Sequence, residues 1–284
     1  LGIITDAIWA DLNVDGKQEL VVVGEWMPIT VFSLDKGKLV ESTTQFFENS
    51  YQGWWNTVHI EDLNKDGKPD IVAGNLGTNT QFQASSKEPL ELYYDDFDQN
   101  GAVDPIFCFY IQGKSYPYVT RDELLGQLSH LRPKYNSYNS YADAKLSEIF
   151  GEETASKVKK LSVNHMKTTL FLGTQNGTFK EKELPKQVEF SPVNTIVSKD
   201  FDQDGHTDLL LMGNNHRFKL RLGKFDANYG TLLLGDGNGN FSYTEQTKSG
   251  LRIAGVVESA VILNDLLLLG IQGAPLEAYQ FDAN

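Results

Sequence analysis

The sequence predicts an all-β fold, a β-propeller of four-stranded antiparallel blades, about five of them, with a small helical insertion. A nine-residue acidic loop occurs four times, short apolar runs follow the loops, and a strand–turn–strand phrase occurs twice. Strand-rich units that recur at a period of roughly 40–50 residues are typical of propeller blades.

The acidic loops begin at residues 11, 62, 96 and 200, with oxygen-bearing side chains at positions 1, 3, 5 and 9 and glycine at position 6. Alternate oxygens point inward from a tight loop, and glycine permits the sharp turn. A hard cation is the natural occupant, and we expect calcium at about four sites. The backbone carbonyl at position 7 is the remaining expected ligand. The predicted metal ligands are Asp11, Asn13, Asp15, Lys17, Glu19, Asp62, Asn64, Asp66, Lys68, Asp70, Asp96, Asp98, Asn100, Ala102, Asp104, Asp200, Asp202, Asp204, His206 and Asp208.

The flanks of these loops differ from those of an EF-hand, which needs a glutamate at position 12 and a helix on each side. Position 12 is apolar in all four loops. Apolar runs at residues 19–24, 70–74 and 208–213 end at glycine and are typical of buried strands. We therefore expect the acid at position 9 to close the cage and each loop to join two strands.

Composition limits the class of protein. The chain has 284 residues and a formal charge of -13, and thirteen of its carboxylates lie in the four loops. This acidity argues against a nucleic-acid partner, since phosphate contact needs a basic surface. No apolar stretch approaches the roughly 20 residues that a membrane-spanning helix needs. The single cysteine, Cys108, lies in an apolar run and is expected to be a small buried residue.

The repeats suggest one propeller domain over residues 1–284, expected to be part of a longer protein because the chain starts at Leu1 without a signal segment. Hairpins are predicted at residues 169–179 and 231–241, where a glycine–asparagine turn joins two apolar strands. The last unit has a short Asn264–Asp265 turn instead of a calcium loop. The predicted blades span residues 1–44, 52–94, 91–181, 190–246 and 251–282.

The third predicted blade contains a helical insertion at residues 113–166. A capping box at residues 120–123 predicts one helix, and residues 140–151 predict a second that stops at glycine. The insertion also carries Tyr135, Tyr138 and Tyr141, which either form a stacking platform for a ligand or attach the insertion to the blade edge. The Trp54–Trp55 pair has the same two interpretations, a ligand surface or a filled blade interface. We favour the packing interpretation for both groups.

The loops and their flanking strands, with the phrases at residues 53–56, 74–79 and 222–230, resemble FG-GAP repeats, also called VCBS repeats. Such repeats form the integrin α-subunit propeller and occur in bacterial secreted proteins. These phrases look like those of the branch found in Bacteroidetes envelope proteins, which is similar to cartilage acidic protein. The resemblance covers almost the whole chain. It implies calcium in the loop between the first two strands of a blade, a secreted or cell-envelope location, and a role in adhesion or ligand binding.

The resemblance does not decide whether the blades of this chain form a complete ring. Propellers of this family often have seven or so blades, whereas five are visible here. Either five blades close a small ring, or further blades complete a larger one. An open edge would expose unpaired strands.

Three functions are compatible with this sequence. The first is a calcium-stabilised interaction module for a glycan or a protein, and the second is a structural spacer. The third is a calcium-dependent polysaccharide lyase, whose base would come from the tyrosine-rich insertion or from Arg217, Lys219 or Arg221. No catalytic motif is present, the five histidines share no spacing, and the ring of His206 is expected to face solvent. We therefore expect an interaction module without catalytic residues.

Overall fold

The computed structural model describes residues 2–281, which form two compact units, one of Leu1–Thr80 with Met166–Asn284 and one of Gln81–His165. Up to residue 80 the elements are β1 (Ile3–Ala10), β2 (Glu19–Pro28), β3 (Thr30–Asp35), β4 (Lys38–Glu41), α1 (Thr43–Phe46), β5 (Gln52–Trp54), β6 (Thr57–Glu61) and β7 (Asp70–Gly74).

Residues 81–165 contain β8 (Leu90–Asp95), β9 (Asp104–Ile111), β10 (Lys114–Pro117), α2 (Arg121–Gln127), α3 (Tyr138–Tyr141), α4 (Leu146–Phe150), α5 (Glu152–Lys157) and β11 (Lys159–Val163). Residues 166–281 contain β12 (Thr169–Gly173), β13 (Phe179–Lys182), β14 (Val193–Lys199), β15 (Asp208–Gly213), β16 (Thr231–Gly235), β17 (Phe241–Thr244), α6 (Gln246–Ser249), β18 (Val257–Leu263), β19 (Leu266–Ile271) and β20 (Glu277–Gln280).

Four antiparallel sheets make up the first unit. Sheet 1 has the order β1-β2-β3-β4 with β5 paired to β2, and sheet 2 has the order β6-β7-β12-β13. Sheet 3 runs β14-β15-β16-β17 and sheet 4 runs β18-β19-β20. The first strands of successive sheets are neighbours, because β1 contacts β6, β6 contacts β14, and β14 contacts β18. This arrangement confirms the predicted all-β, propeller-like fold.

One predicted blade assignment is wrong. We expected the hairpin at residues 169–179 to close a blade begun by the loop at residue 96, but β12 pairs with β7 in the register Leu170 to Val72. The strands on either side of the loop at residue 96, β8 and β9, form a separate sheet, β10-β9-β8-β11, in the second unit. The whole segment 81–165 therefore interrupts sheet 2. The sequence could not show this, because only long-range pairing decides which strands share a sheet.

The continuous apolar runs are explained by burial of both sheet faces. In β7, Ile71 packs in the core between sheets 1 and 2, and its neighbour Val72 packs in the core between sheets 2 and 3. In β15, Leu209 packs in the core between sheets 2 and 3, and its neighbour Leu210 packs in the core between sheets 3 and 4. Successive residues of a strand point to opposite faces, so a strand buried on both faces must be apolar throughout. Each such side chain contributes about 1.5–3 kcal/mol.

Sheets 1 and 4 each leave one apolar face exposed among the described residues. On sheet 1, Leu34 is paired with Leu39, and their side chains are 57% and 49% exposed. On sheet 4, Val261 and Leu263 are 56% and 57% exposed. These two sheets therefore pack on one face only, unlike sheets 2 and 3.

The second unit has its own core, which lies between its four-stranded sheet and helices that include α2 and α4. Ile106 and Cys108 of β9 pack with Leu124 and Leu128. Cys108 is 1% exposed, and burial raises the pKa of its thiol, which confirms the predicted small buried residue. No helix among residues 2–281 has the length and apolar character needed to cross a membrane.

The helices of this unit follow the predicted caps in part. Helix α2 begins at the predicted capping box, in which the Thr120 side chain accepts from Glu123 N and the Glu123 carboxylate accepts from Thr120 N. The predicted second helix is interrupted, however, and α3 and α4 are separate short helices. Gly151 ends α4 with a φ of 87°, as predicted. The single-domain organisation with an insertion at residues 113–166 stays a prediction.

The carboxylate of Glu189, just before β14, has one buried oxygen. Glu189 Oε1 accepts a hydrogen bond from Thr168 N at 3.1 Å, whereas its Oε2 is buried without a hydrogen-bond partner. Burial raises the pKa of Glu189 from 4.5 to about 8, although the nearby Lys167 acts in the opposite direction. The folded state therefore holds a proton that the unfolded chain releases above pH 4.5. The stability associated with this proton is present below pH 4.5 and is lost as the pH rises to about 8.

We predict that Glu189→Gln raises the free energy of unfolding relative to the parent protein as the pH increases from 5 to 8, by about 1–3 kcal/mol. Urea unfolding of both proteins at each pH measures the difference. Glu48→Gln is the control, since Glu48 is an exposed glutamate of the same unit and is not among the groups that shift the pKa of Glu189. An equal pH dependence in the parent and the Glu189→Gln protein would contradict the assignment.

Candidate metal centre

The four acidic loops adopt one conformation, and we number them loop 1 (residues 11–19), loop 2 (62–70), loop 3 (96–104) and loop 4 (200–208). Each joins two antiparallel strands, as predicted. The position-6 glycines have φ values of 84°, 85°, 89° and 88°. The position-4 residues are also left-handed, which the sequence did not predict, with φ values between 57° and 63°. This conformation costs about 1–2 kcal/mol for a residue with a side chain, so the rest of the loop must enforce it.

Backbone amides hold the carboxylates in place. In every loop the position-1 carboxylate accepts from the glycine N–H at position 6, at 2.8–2.9 Å. The position-3 oxygen accepts from the position-5 N–H, and the position-5 oxygen accepts from the position-7 N–H. The same bonds recur in all four loops. Hydrogen bonds of this kind, from groups that do not themselves bind the metal, fix the orientation of metal ligands.

Loops 3 and 4 bring three carboxylates together at positions 1, 3 and 9. One oxygen from each of Asp96, Asp98 and Asp104 lies within 4.8 Å of the others, and Asp200, Asp202 and Asp208 form the same group. Such clusters can hold a metal ion. Loops 1 and 2 have asparagine at position 3 and therefore combine two carboxylates and an amide oxygen at these positions.

Asp200 shows how the loop fits a cation. In loops 1–3 the second oxygen of the position-1 side chain accepts from the position-5 N–H at 2.9–3.1 Å. In loop 4 the equivalent atom, Asp200 Oδ1, is buried and has no hydrogen-bond partner. A buried carboxylate oxygen without a partner is costly unless a positive charge is nearby. The all-oxygen donor set is the type that hard cations prefer.

The position-9 acids are buried and tie each loop to its surroundings. Glu19, Asp70, Asp104 and Asp208 are at most 4% exposed, and each accepts from the position-2 N–H. The other oxygens of Asp70 and Asp208 accept from Gly173 N and Gly235 N, in the third strand of each sheet, both at 2.9 Å. In sheets 2 and 3 the position-9 acid therefore links the second strand to the third, in addition to its expected role as a metal ligand.

Burial and the repulsion of nearby carboxylates raise the pKa values of Glu19, Asp70 and Asp208. The pKa of Asp70 rises to about 6, first because of burial and then because of the charges of Asp66 and Asp62, although two backbone N–H groups partly offset the rise. Burial is also the largest cause of the raised pKa of Glu19 and of Asp208. A bound cation would counteract both effects, because it favours the ionised carboxylates.

The loops also contact the neighbouring sheet. A Cβ added to Gly177, in the β12–β13 turn, would lie 3.2 Å from Asn13 of loop 1, and one added to Gly239, in the β16–β17 turn, would lie 3.7 Å from Asn64 of loop 2. Lys65 of loop 2 donates to the carbonyl of Gly205 in loop 4. Position 3 of loops 1 and 2 therefore lies against the hairpin turn of the next sheet.

The side chains at position 7 do not act as ligands in the described contacts. Lys17 and Lys68 lie 3.7 and 3.6 Å from the position-5 carboxylates Asp15 and Asp66. The prediction that the ring of His206 faces solvent is wrong, because its Nδ1 is buried and lies against Gly237 of the β16–β17 turn. The side chain packs there because glycine leaves room for the ring.

The predicted aromatic ligand surface is largely buried. Trp55 is 0% exposed, lies in the core between sheets 1 and 2, and donates through Nε1 to the carbonyl of Tyr51. Trp54 stacks edge-on against Trp26 with ring centroids 5.1 Å apart. Trp55 therefore has no exposed ring for a ligand and fills a sheet interface, the interpretation that we favoured.

The three tyrosines do not form a shared platform. Tyr135 is 3% exposed and lies in the core of the second unit, where Tyr141 packs edge-on against it at 5.4 Å. Tyr138 is 68% exposed, and its hydroxyl donates to Asp122 at 2.6 Å. Contact of Tyr138 or Trp54 with a ligand stays a prediction.

We predict that Asp208→Ala and Asp202→Ala differ in calcium-free buffer. Asp208→Ala removes the buried acceptor of Phe201 N and Gly235 N and should lower the free energy of unfolding by about 2–4 kcal/mol. Asp202 is exposed and accepts one bond, from Asp204 N, so its replacement should cost less than about 1 kcal/mol. Denaturant unfolding with a chelator measures both changes. Equal losses would show that Asp208 has no separate structural role.

Comparison with known proteins agrees with this geometry. The family model for the FG-GAP-like repeat matches residues 11–73, which include loops 1 and 2, strands β2–β6 and most of β7. No curated protein matches the chain significantly. Loops 3 and 4 lie outside the matched residues but repeat the same hydrogen bonds. Residues 11–73 are therefore similar to an FG-GAP-like repeat.

Proposed function

We propose that the chain is a calcium-binding interaction module in which calcium has a structural role. The convergence of carboxylates in repeated loops between adjacent strands carries this proposal. Each ion would be held by the side chains at positions 1, 3, 5 and 9 and by the carbonyl at position 7. Calcium accepts six to eight oxygen ligands in flexible geometry, whereas magnesium demands an octahedron and retains waters. The mixed carboxylate and amide oxygens of these loops favour calcium.

The proposed effect of calcium is to fasten the loop end of each sheet. Without an ion, three or four carboxylates lie within a few ångströms and repel one another. Binding to the folded state alone stabilises it by mass action, by about 2.7 kcal/mol at a calcium concentration of 100 times Kd. Loops 1 and 2 also touch the neighbouring hairpin turns. Calcium there would stabilise the interface between sheets as well as the strand pair.

The proposed biological role is recognition of a glycan or a protein outside the cytoplasm. FG-GAP repeats are typically extracellular interaction modules, and this supports a secreted or cell-envelope location like that of the Bacteroidetes branch. Extracellular calcium modules typically bind at about 10⁻⁴–10⁻³ M, which suits calcium concentrations outside cells. A structural spacer remains the alternative if no ligand binds.

One observation keeps the lyase as a second candidate. A groove of about 660 Å³ beside loop 1 is lined by Lys17, Asp15 and Trp9. A base beside calcium in an open groove is what a lyase needs. The Lys17 ammonium lies 3.7 Å from the carboxylate of Asp15, however, which is itself one of the proposed calcium ligands. An absorbance assay for unsaturated products, with acidic polysaccharides as substrates, tests this candidate directly.

We predict that calcium raises the melting temperature of the chain and that Asp66→Ala removes part of this increase. Asp66 is a position-5 ligand of loop 2, so its loss should lower the melting temperature by several degrees in calcium and change little in chelator. Differential scanning calorimetry in millimolar calcium, in magnesium and in chelator measures the effect. Asp265→Ala is the matched control, because Asp265 lies in the equivalent turn of sheet 4, which has no acidic loop.

An equal loss of melting temperature by Asp66→Ala in calcium and in chelator would contradict the structural role of calcium, because it would show that Asp66 acts without a metal. A glycan and protein array, probed with the whole chain in calcium and in chelator, tests the interaction role. Calcium-dependent binding supports an interaction module, whereas no binding to any class favours the structural spacer.

A further inference from the structure

A polar cavity of about 530 Å³ lies in the first unit where the first strands of all four sheets begin. Its lining includes Thr5 of β1, Asn56 before β6, Asn194 of β14 and Glu258 of β18. Acidic loops follow the opposite ends of three of these strands, β1, β6 and β14. Because strands rise about 3.3 Å per residue, the cavity and the loops are separated by most of a strand length. None of the lining residues belongs to any of the four acidic loops.

Three of these strands carry a β-bulge at the cavity. The register shifts between Ile4 and Asp6, between Val193 and Thr195, and between Val257 and Ser259. The extra residues are Thr5, Asn194 and Glu258, and all three line the cavity. A bulge redirects a side chain away from the regular alternation, and bulges are enriched beside functional sites. Because the bulge recurs in three sheets, three polar residues line the cavity at equivalent positions.

Some lining residues hold the walls together. Asp6 accepts from Thr57 Oγ1 and Val58 N, both at 2.9 Å, and so links sheets 1 and 2. Asn194 Nδ2 donates to the carbonyls of Asn214 and Val257, at 2.9 and 3.0 Å, and so links sheets 3 and 4. The cavity therefore has walls that are fixed before a ligand arrives, which reduces the entropic cost of binding.

Other polar side chains remain available for a ligand. The side chains of Asn56, Thr195, Arg217 and Ser259 make no hydrogen bond or ion pair with another described residue, although all four line the cavity. Arg217 is exposed and is the cation among the lining residues. One Glu258 oxygen accepts from Gln272, and the other can accept from a ligand hydroxyl.

The chemistry of these groups selects the ligand. No aromatic ring lines the cavity, and its apolar lining is limited to small groups such as Val256 and Ala260. Amides, hydroxyls and a carboxylate suit the hydroxyls of a sugar. An unpaired guanidinium suits a carboxylate, which it can bind through two parallel hydrogen bonds.

We propose that this cavity binds a saccharide that carries a carboxylate, with the carboxylate on Arg217 and the sugar hydroxyls on Asn56, Thr195, Ser259 and Glu258. This inference rests on the proposed function as an interaction module and names its ligand class and site. It places recognition at the end of the sheets opposite the metal loops. Calcium would act on binding only through the stability of the sheets.

The test is a titration of the whole chain in millimolar calcium with glucuronate and galacturonate, and with glucose and galactose as neutral probes, followed by protein NMR and calorimetry. We expect both uronates to bind at least about tenfold more tightly than the neutral sugars, in line with a charge-assisted Arg–carboxylate pair. Arg217→Gln should remove this preference, and Thr195→Val should weaken uronate binding about threefold to tenfold.

Matched controls separate this effect from a general loss of structure. Arg252→Gln changes another exposed arginine of the first unit, and Thr231→Val changes another buried threonine, and neither residue lines the cavity. Both variants should bind uronates like the parent. Equal uronate affinity in the Arg217→Gln and parent proteins, or no uronate binding by the parent, would overturn the inference.

The proposed function fails separately. If the array shows calcium-dependent binding of another glycan or of a protein, and Arg217→Gln leaves it unchanged, the interaction module stands and the cavity assignment is wrong. If the parent binds uronates with the predicted Arg217 dependence, both proposals are supported. Absence of all binding would overturn both.

Discussion

The constraint on which the first unit depends is the packing of carboxylates into the loops that join adjacent strands. The position-9 acids are buried and hold each loop to the strands, and in loop 4 one oxygen of Asp208 also lies within 4.8 Å of oxygens of Asp200 and Asp202. Backbone N–H groups offset part of this cost, as the repeated hydrogen bonds show. They do not neutralise the charge. The proposed calcium ions would do so, and folding and metal binding would then be linked.

This constraint is local in sequence but acts between sheets. Asn13 and Asn64 lie beside the glycines of hairpin turns that belong to the next sheet. Asp70 and Asp208 connect the second and third strands of their own sheets. A disturbance in one loop is therefore expected to reach the strand pair, the sheet and the interface. The cavity lies at the other end of the first strands, so metal binding and the proposed ligand binding occupy different ends of the same sheets.

The sequence predicted the features that a few neighbouring residues decide. The loops, their flanking strands and the start of α2 follow from oxygen spacing, glycine and a capping box, all within about ten residues. It did not reveal that β12 pairs with β7 or that the ring of His206 lies against Gly237, because distant segments decide both. The cavity was missed for the same reason. Its only local signal is a polar residue where an apolar strand begins, as at Asn194 and Glu258.

Anomalous diffraction from crystals of the chain, grown in calcium and soaked with terbium, tests directly whether the loops bind calcium, because terbium is a calcium substitute with a strong anomalous signal. We expect one peak inside each of the four loops, surrounded by the oxygens of positions 1, 3, 5, 7 and 9. Peaks absent from the loops, with the acidic oxygens bonded to water alone, would contradict calcium binding by the loops.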